Sequence, residues 1–301
     1  MRAVFYEEYG APSVLRHGDV ADAPAPGPGQ VRVAMRVAGV NPIDIAVRSG
    51  AMADGPPASP VVPGSDGAGV VDAVGPDVVG MSVGDAVLGM GSSTYAEHAL
   101  LSEVALCPPE LSWEVAAAIP MAAETAGRGL RAIGVGAGDT VVVTGASGGV
   151  GSFVAQLAVR QGARVIGTAS PSQHPFVESL GATAVSYGDG LVERVRAAAS
   201  GGVDAVYDTT GFGAVAELVG LVDNRSRIVT IADFGAADFG VQVSDGSSGR
   251  APDVIGEVAL LAAAGDFVVR IGEVIPWSES ARAHELVASG QSRGRVVLTI
   301  S

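Results

Sequence analysis

No lysine occurs among the 301 residues, so all 18 basic side chains are arginines. A site that pairs a tyrosine with a lysine four residues later is thereby excluded. Acids outnumber bases, 32 to 18, which leaves a formal charge of −14. A nucleic-acid partner is not expected, because neutralising phosphates requires a basic face. Cysteine is almost absent: Cys107 stands alone, which rules out a disulfide within the chain and agrees with a reducing compartment. The opening MRAVFYEEYG carries Glu7 and Glu8 and no long apolar segment, unlike a secretory leader. No apolar run approaches the roughly 20 residues of a membrane span. A cytoplasmic location with no membrane partner is the expectation. Charged residues are scarce at 17% while hydrophobic ones reach 48%, a balance that supplies a core and argues against disorder.

What the chain has in quantity is glycine, 43 residues of it, cutting short apolar runs apart. Val31–Val37 alternates apolar with polar after the turn-rich APAPGPGQ, and Val61–Val62, Val70–Val71 and Asp85–Leu88 follow at short spacing. That texture predicts a compact β-barrel or sandwich up to about residue 110. From Trp113 an alanine-rich helical stretch begins, interrupted at Pro120. Strands and helices then alternate: VVVT, a helix over Gly148–Gln161, RVIGTA, a helix through Phe176–Leu180, AVSY, a helix over Leu191–Ala199, DAVYD, a helix over Val215–Val222, and RIVTIAD. Such alternation predicts a parallel sheet with helices on both faces. A helical stretch, Val254–Ala264, precedes a return to β-type runs, FVVRIGEVI and RVVLTI. The expected fold is α/β. A Rossmann-type doubly wound sheet over residues 121–265 is inserted between the two parts, 1–120 and 266–301, of a β-rich domain.

TGASGGVG, Thr144–Gly151, places four glycines between a strand and a helix. A loop of this composition suits a dinucleotide diphosphate. Gly145 permits the tight turn, Gly148 lets backbone approach the pyrophosphate, and Gly151 lets the helix pack close to the sheet. The helix N-terminus adds amides and a favourable dipole. Ala146, Ser147, Gly149 and Val150 complete the loop. The plain alternative is an ordinary glycine turn.

Loops that read NAD usually place a carboxylate about 20 residues on, against the ribose 2′-hydroxyl. Here the second strand runs into Gly167, Thr168, Ala169 and Ser170, and the next acid is Glu178. A carboxylate beside a 2′-phosphate would cost on the order of 4 kcal/mol at about 4 Å and an effective dielectric of about 20. Its absence, with hydroxyls at Thr168, Ser170 and Ser172, points to NADPH. No arginine stands in this loop; His174, Arg293 and Arg295 are the cations considered for the 2′-phosphate. The plain alternative is a loop that caps the next helix.

The order of motifs resembles the medium-chain dehydrogenase/reductase superfamily, specifically its zinc-free quinone oxidoreductase branch. MRAVFYEEYGAPSVL, VRVAMRVAGVNPIDIAVRSG, PVVPGSDGAGVV, SVGDAVLG, TYAEHALL, GASGGVG, GTAS and SRGRVVL fall in the expected sequence. The short-chain reductases are excluded, since their glycine loop opens the chain and their site needs the missing lysine. The resemblance implies a GroES-like catalytic barrel, a Rossmann domain and a homodimer. In zinc-dependent relatives a cysteine stands in the segment matching GVNPID, and a Gly-His-Glu motif matches Gly64-Ser65-Asp66. Here those places hold Asn41 and Ser65, and His17, His98, His174 and His284 show no ligand spacing. No metal is expected.

The resemblance implies that Asn41 contacts the cofactor or the substrate carbonyl, which its amide can do; an Asn-Pro turn is the alternative. Asp44 is read as a turn residue that can orient that loop. Thr125 matches a segment passing near the nicotinamide, or is simply a helix-internal threonine. Tyr187 matches a tyrosine near the 2′-phosphate, or is a surface residue at a strand end. Ala232 marks the strand end nearest the nicotinamide by topology. Tyr95 and Glu97 read as structural. Gly240–Ser244, GVQVS, is expected to form the far edge of the parallel sheet. The expected reaction is hydride transfer from NADPH to a quinone or an α,β-unsaturated ketone. The rivals are a trans-acting enoyl-thioester reductase and an NADPH-binding redox sensor without turnover.

Overall fold

Alternation in the N-terminal third becomes a closed barrel. In the computed structural model, which describes residues 1–58 and 60–301, two compact units form: Met1–Met121 with Pro252–Ser301, and Ala122–Ala251. The first begins with β1 (Arg2–Phe5) and β2 (Arg16–Asp19), an antiparallel pair. Then come β3 (Val31–Val40), α1 (Pro42–Ser49), β4 (Asp66–Val74), β5 (Ala86–Ser92), β6 (His98–Leu106) and α2 (Trp113–Ala118). Along β3, Val31, Val33 and Met35 point into the core while Arg36 is exposed, as period-two side chains require. β3 pairs with both β4 and β6, so β3 to β6 close on themselves. Val4, Val71, Val87, Leu101, Ile275, Trp277 and Leu298 fill this unit's core. Val61 makes one isolated bridge to Tyr6, where the sequence suggested a strand.

Helix α3 (Pro120–Ala132) leads into the second unit, with β7 (Thr140–Val143), α4 (Gly151–Arg160), β8 (Arg164–Ala169), α5 (His174–Ser179), β9 (Thr183–Ser186), α6 (Leu191–Ala198), β10 (Ala205–Asp208), α7 (Ala214–Leu218), β11 (Ile228–Thr230) and β12 (Gln242–Val243). Six strands run β12-β11-β10-β7-β8-β9, and every pairing is parallel. The order reverses at β7 and β10, the place where α/β sheets bind ligands beyond their carboxyl ends. All four residues of β7 are buried, as a central strand covered on both faces demands. β12 lies at the sheet's edge, within the expected Gly240–Ser244.

The chain then forms α8 (Asp253–Ala263), β13 (Ile271–Pro276), α9 (Ser280–Ala288) and β14 (Arg295–Thr299). β14 pairs antiparallel with β3 and parallel with β13. The unit boundary falls at Ala251/Pro252, ahead of α8, and not at residue 265. The physical reason is packing: Gly256 of α8 lies against Ala105 of β6. The helix expected from Gly148 begins at Gly151, because Gly148 N–H turns back onto the Gly145 carbonyl at 2.8 Å. Among the described residues, no helix is long and apolar enough to cross a membrane.

Candidate functional site

The glycine loop leaves β7 at Thr144 and returns into α4. Gly145 has φ +63°, the left-handed region where a β-carbon is strained. A β-carbon on Gly151 would stand 2.1 Å from the Gly145 carbonyl oxygen. Gly151 thus brings the helix start against the loop; the sequence reading had assigned it to helix–sheet contact. Thr168 pins the loop from β8: Gly145 N–H donates to its hydroxyl at 3.1 Å, and Ala146 N–H to its carbonyl at 3.0 Å. Thr168 and Ala146 are buried, so both serve the loop's shape, and Gly167 is wedged between Ala146 and Val177. Ser147, Gly148, Gly149 and Val150 are half-buried. Among the described residues, the N–H groups of Ser147, Gly149 and Val150 have no protein acceptor. Three free donors at a sheet's switch point are what an anionic diphosphate needs.

Asp208, which the sequence reading missed, ties three strand ends together. Its carboxylate accepts from Thr144 Oγ1 at 2.6 Å, Thr210 Oγ1 at 3.0 Å and Thr230 Oγ1 at 2.7 Å. The carboxyl ends of β7, β10 and β11 are held by this one fully buried acid. Ala232 N–H bonds Thr230 Oγ1 at 3.2 Å, just beyond β11. Thr125 is buried in α3, and its carbonyl accepts from Tyr207 O–H at 2.6 Å.

A second cluster gathers beyond β8 and β9. Ser170 and Ser172 place their hydroxyls 3.3 Å apart, and Ser186 Oγ lies 3.4 Å from His174 Nε2. Tyr187 follows β9 with its side chain mostly exposed. Arg194, in α6, folds back on this loop: Nε donates to Ser186 O at 2.8 Å, Nη1 to Asp189 O at 2.8 Å, and Nη2 to Gly188 O at 2.9 Å and Tyr187 O at 3.3 Å. Among the described residues these four hydrogen-bond partners are all backbone carbonyl oxygens, so the guanidinium brings a positive charge to this loop. The sequence reading found no such cation because Arg194 lies beyond the loop.

In the first unit a buried polar network surrounds Asn41. Asn41 caps α1: its backbone N–H donates to Asp44 Oδ2 at 2.8 Å, a capping box with Pro42 at the first helical position. Its Nδ2 donates to Asp66 Oδ1 at 2.7 Å and reaches Asp44 Oδ2 at 3.4 Å, while its Oδ1 accepts from Arg295 Nη2 at 2.7 Å. In this network no donor of Asn41 is left for a substrate carbonyl. Arg295 also donates to Ala118 O at 3.0 Å and lies 3.6 Å from Asp66. Its guanidinium is committed here. Met121 N–H donates to Asp66 Oδ2 at 3.0 Å. Asp44 accepts from Ser65 Oγ at 2.7 Å and from Tyr95 O–H at 3.4 Å.

Burial is the main cause that lifts the Asp44 carboxyl to about 6; Ser65's bond opposes it and Asp66's charge adds to it. Burial likewise raises Asp66, and Arg295 pulls it back. The donor set does not suit zinc. Asn41 and Ser65 occupy the ligand-matching places, a guanidinium already faces Asp66, and among the described residues no three His, Cys, Asp or Glu could hold a metal ion.

Comparisons agree with this architecture. Residues 27–231 match the family model described as the alcohol dehydrogenase GroES-like domain, and residues 180–298 match zinc-binding dehydrogenase. Quinone oxidoreductase of Homo sapiens is 32% identical over 79% of this chain and 75% of its own. The 2-methylene-furan-3-one reductase of Solanum lycopersicum is 36% identical over 71% of this chain, and the match spans 58% of the reductase. The spectinabilin polyketide synthase system protein NorB of Streptomyces orinoci is 34% identical over 93% of this chain, which covers only 14% of that longer protein. The solved structure of mycobacterial Rv1454c complexed with NADPH has a TM-score of 0.85 at 29% identity, over 100% of both chains. The chain therefore belongs to the medium-chain dehydrogenase/reductase superfamily, in its quinone oxidoreductase branch.

Proposed function

We propose that this protein is a zinc-independent, NADPH-dependent oxidoreductase that reduces a quinone or an α,β-unsaturated ketone. The reading rests above all on the free N–H groups of Ser147, Gly149 and Val150 in a loop that Gly151 keeps tight. Those amides would hold the diphosphate. Ser170, Ser172, His174 and Tyr187 would receive the 2′-phosphate, with Arg194 supplying charge. Thr125 and Ala232 would lie toward the nicotinamide, by the switch-point topology. When bound, the dihydronicotinamide supplies the hydride. The chain's own part is to orient that ring, exclude water and meet the charge that develops on the acceptor oxygen. Asn41 acts in this reading as a positioning residue, holding Asp66, Arg295 and the start of α1 in register. Similarity to the quinone oxidoreductase and the furanone reductase supports the acceptor class, and the NADPH complex supports the cofactor.

Reduction of an unsaturated thioester is the second reading, favoured by the match to a polyketide synthase system protein across 93% of this chain. The deciding experiment follows the near-ultraviolet absorbance of NADPH with quinones, enones and enoyl thioesters offered in parallel. Consumption with quinone or enone is expected. Turnover confined to thioesters would select the second reading, and binding with no consumption would make the protein an NADPH sensor.

A further inference from the structure

We propose that Asp208 is a positioning residue for NADPH: its carboxylate locks the diphosphate loop to the loop that follows β11, so that the dinucleotide meets both in one fixed register. The inference rests on the cofactor reading above and concerns one unit only, Ala122–Ala251. Asp208 ends β10, which lies between β7 and β11 where the strand order reverses. Thr144 follows β7 and opens the glycine loop, and Thr230 ends β11. Both reach Asp208 through their hydroxyls, Thr144 at 2.6 Å to Oδ1 and Thr230 at 2.7 Å to Oδ2. Each loop is therefore held by its own carboxylate oxygen.

The loops that leave these three strands are packed against one another without slack. A β-carbon on Gly145 would stand 2.7 Å from Thr210 Cγ2 and 2.9 Å from Thr209 Oγ1. One on Gly211 would stand 2.7 Å from the Ala232 carbonyl oxygen. The β7 loop thus touches the β10 loop, and the β10 loop touches the β11 loop. The Gly145 carbonyl in turn accepts from Gly148 N–H at 2.8 Å, which sets the direction of the free amides beside it. A displacement at Thr144 is passed on to the diphosphate site.

The sense of the hydrogen bonds calls for a group at 208 that only accepts. Each threonine hydroxyl has one proton to give, and Thr144 and Thr230 both give theirs to Asp208. Their lone pairs then face backbone amides. Thr144 Oγ1 accepts from Thr209 N–H at 3.0 Å, and Thr230 Oγ1 accepts from Ala232 N–H at 3.2 Å and Asp233 N–H at 2.9 Å. Thr210 Oγ1 at 3.0 Å and Gly211 N–H at 3.3 Å add further donors to the fully buried carboxylate. An asparagine of the same shape would turn its NH2 toward one of the two hydroxyls. That hydroxyl would have to point its proton elsewhere, and one loop would lose its tie.

The test titrates NADPH, NADH and adenosine 2′-monophosphate into the full chain by calorimetry, as wild type, Asp208→Asn, Thr230→Val and Thr230→Ser. Adenosine 2′-monophosphate has neither diphosphate nor nicotinamide, so it reports the adenosine end alone. Asp208→Asn is expected to weaken NADPH and NADH alike, on the order of tenfold or more, as the loss of a charge-assisted bond implies, with adenosine 2′-monophosphate unchanged. Thr230→Val cuts only the β11 arm and should show a smaller loss of the same kind, which Thr230→Ser restores. Should Asp208→Asn not fold, the Thr230 pair decides by the same criteria. Wild-type dinucleotide affinity in the variants, or a loss shared equally by adenosine 2′-monophosphate, would overturn the positioning role and leave the NADPH reading standing. Failure of the wild type to bind NADPH would overturn both.

Discussion

Arg295 Nη2 donates to Asn41 Oδ1 at 2.7 Å, joining residues 254 positions apart. The same guanidinium lies 3.6 Å from Asp66, and both partners are buried. Asn41 is oriented from two sides, by a cation at its oxygen and a carboxylate at its nitrogen. Arg295→Met would leave Asp66 buried without that cation, a loss that typically costs about 3–5 kcal/mol. The urea midpoint should drop accordingly. Adding Asp66→Asn should recover part of the loss, since an amide needs no counter-charge. Equal midpoints for wild type and Arg295→Met would show the pair to be dispensable.

His284 predicts an acid-sensitive fold. Among the described residues neither ring nitrogen has a hydrogen-bond partner, and the side chain is fully buried. Burial, with Arg48's charge second, lowers its pKa to about 4. The unfolded chain takes up this proton below about 6.5, so stability contributed by the neutral ring is lost as pH falls from there toward about 4. His284→Leu removes both unpaired nitrogens and the titration. Its melting temperature should exceed that of the wild type by more at pH about 5 than at pH about 8. Asp44 works in the opposite direction, since its raised pKa favours the folded state as pH falls, so the comparison is made between the two proteins at each pH. The same difference at both pH values would remove His284 as the cause.

Metal dependence is expected to be nil. Asn41 and Ser65 hydrogen-bond to Asp66, Arg295 and Asp44 in place of metal coordination. Dialysis against a strong chelator, or added zinc, should leave activity with NADPH unchanged. Stoichiometric zinc in purified protein, lost together with activity on chelation, is the result that would refute this.

Local pattern was legible and long-range chemistry was not. The β3 alternation and the Thr144–Gly151 loop are written in consecutive residues, so periodicity and glycine spacing reveal them. Arg194 could not be found that way, because its guanidinium turns back over the loop that precedes its helix. Asp208 and its hydroxyl partners come from three strands, and Arg295 meets Asn41 across most of the chain. Helix α8 misled for a different reason. Its apolar face is the same whichever unit it covers, and only its packing on β6 shows which.

A homodimer is the expected assembly, an expectation carried by the family resemblance and by β12. That two-residue strand ends the parallel sheet with one side unpaired among the described residues, and open edges recruit partners. Light scattering at micromolar concentration should give twice the chain mass, and Val243→Pro should lower it toward one. A wild-type monomer would end the proposal.

Cofactor choice tests the glycine loop and its neighbours together. If the free amides of Ser147, Gly149 and Val150 hold the diphosphate, the adenosine ribose falls toward the ends of β8 and β9. There Ser170 and Ser172 stand 3.3 Å apart, His174 adjoins Ser186, and Arg194 secures the Tyr187 loop. No carboxylate occupies Gly167–Gln173, so nothing there grips a 2′-hydroxyl or repels a 2′-phosphate. Each charge-assisted bond is worth roughly 1.5–3 kcal/mol. Two of them should favour NADPH over NADH by at least roughly tenfold. The overall charge of −14 opposes any dinucleotide, but salt screens it beyond about 10 Å, which leaves the choice to these contacts. Ser170→Asp should cost NADPH heavily while sparing NADH, and Arg194→Ala should narrow the preference by removing the nearby positive charge. The measurement is kcat/KM for both cofactors in wild type and the two variants. Equal use of NADH and NADPH by the wild type, or a ratio unmoved by Ser170→Asp, would mean that the 2′-phosphate does not bind at this end of the sheet.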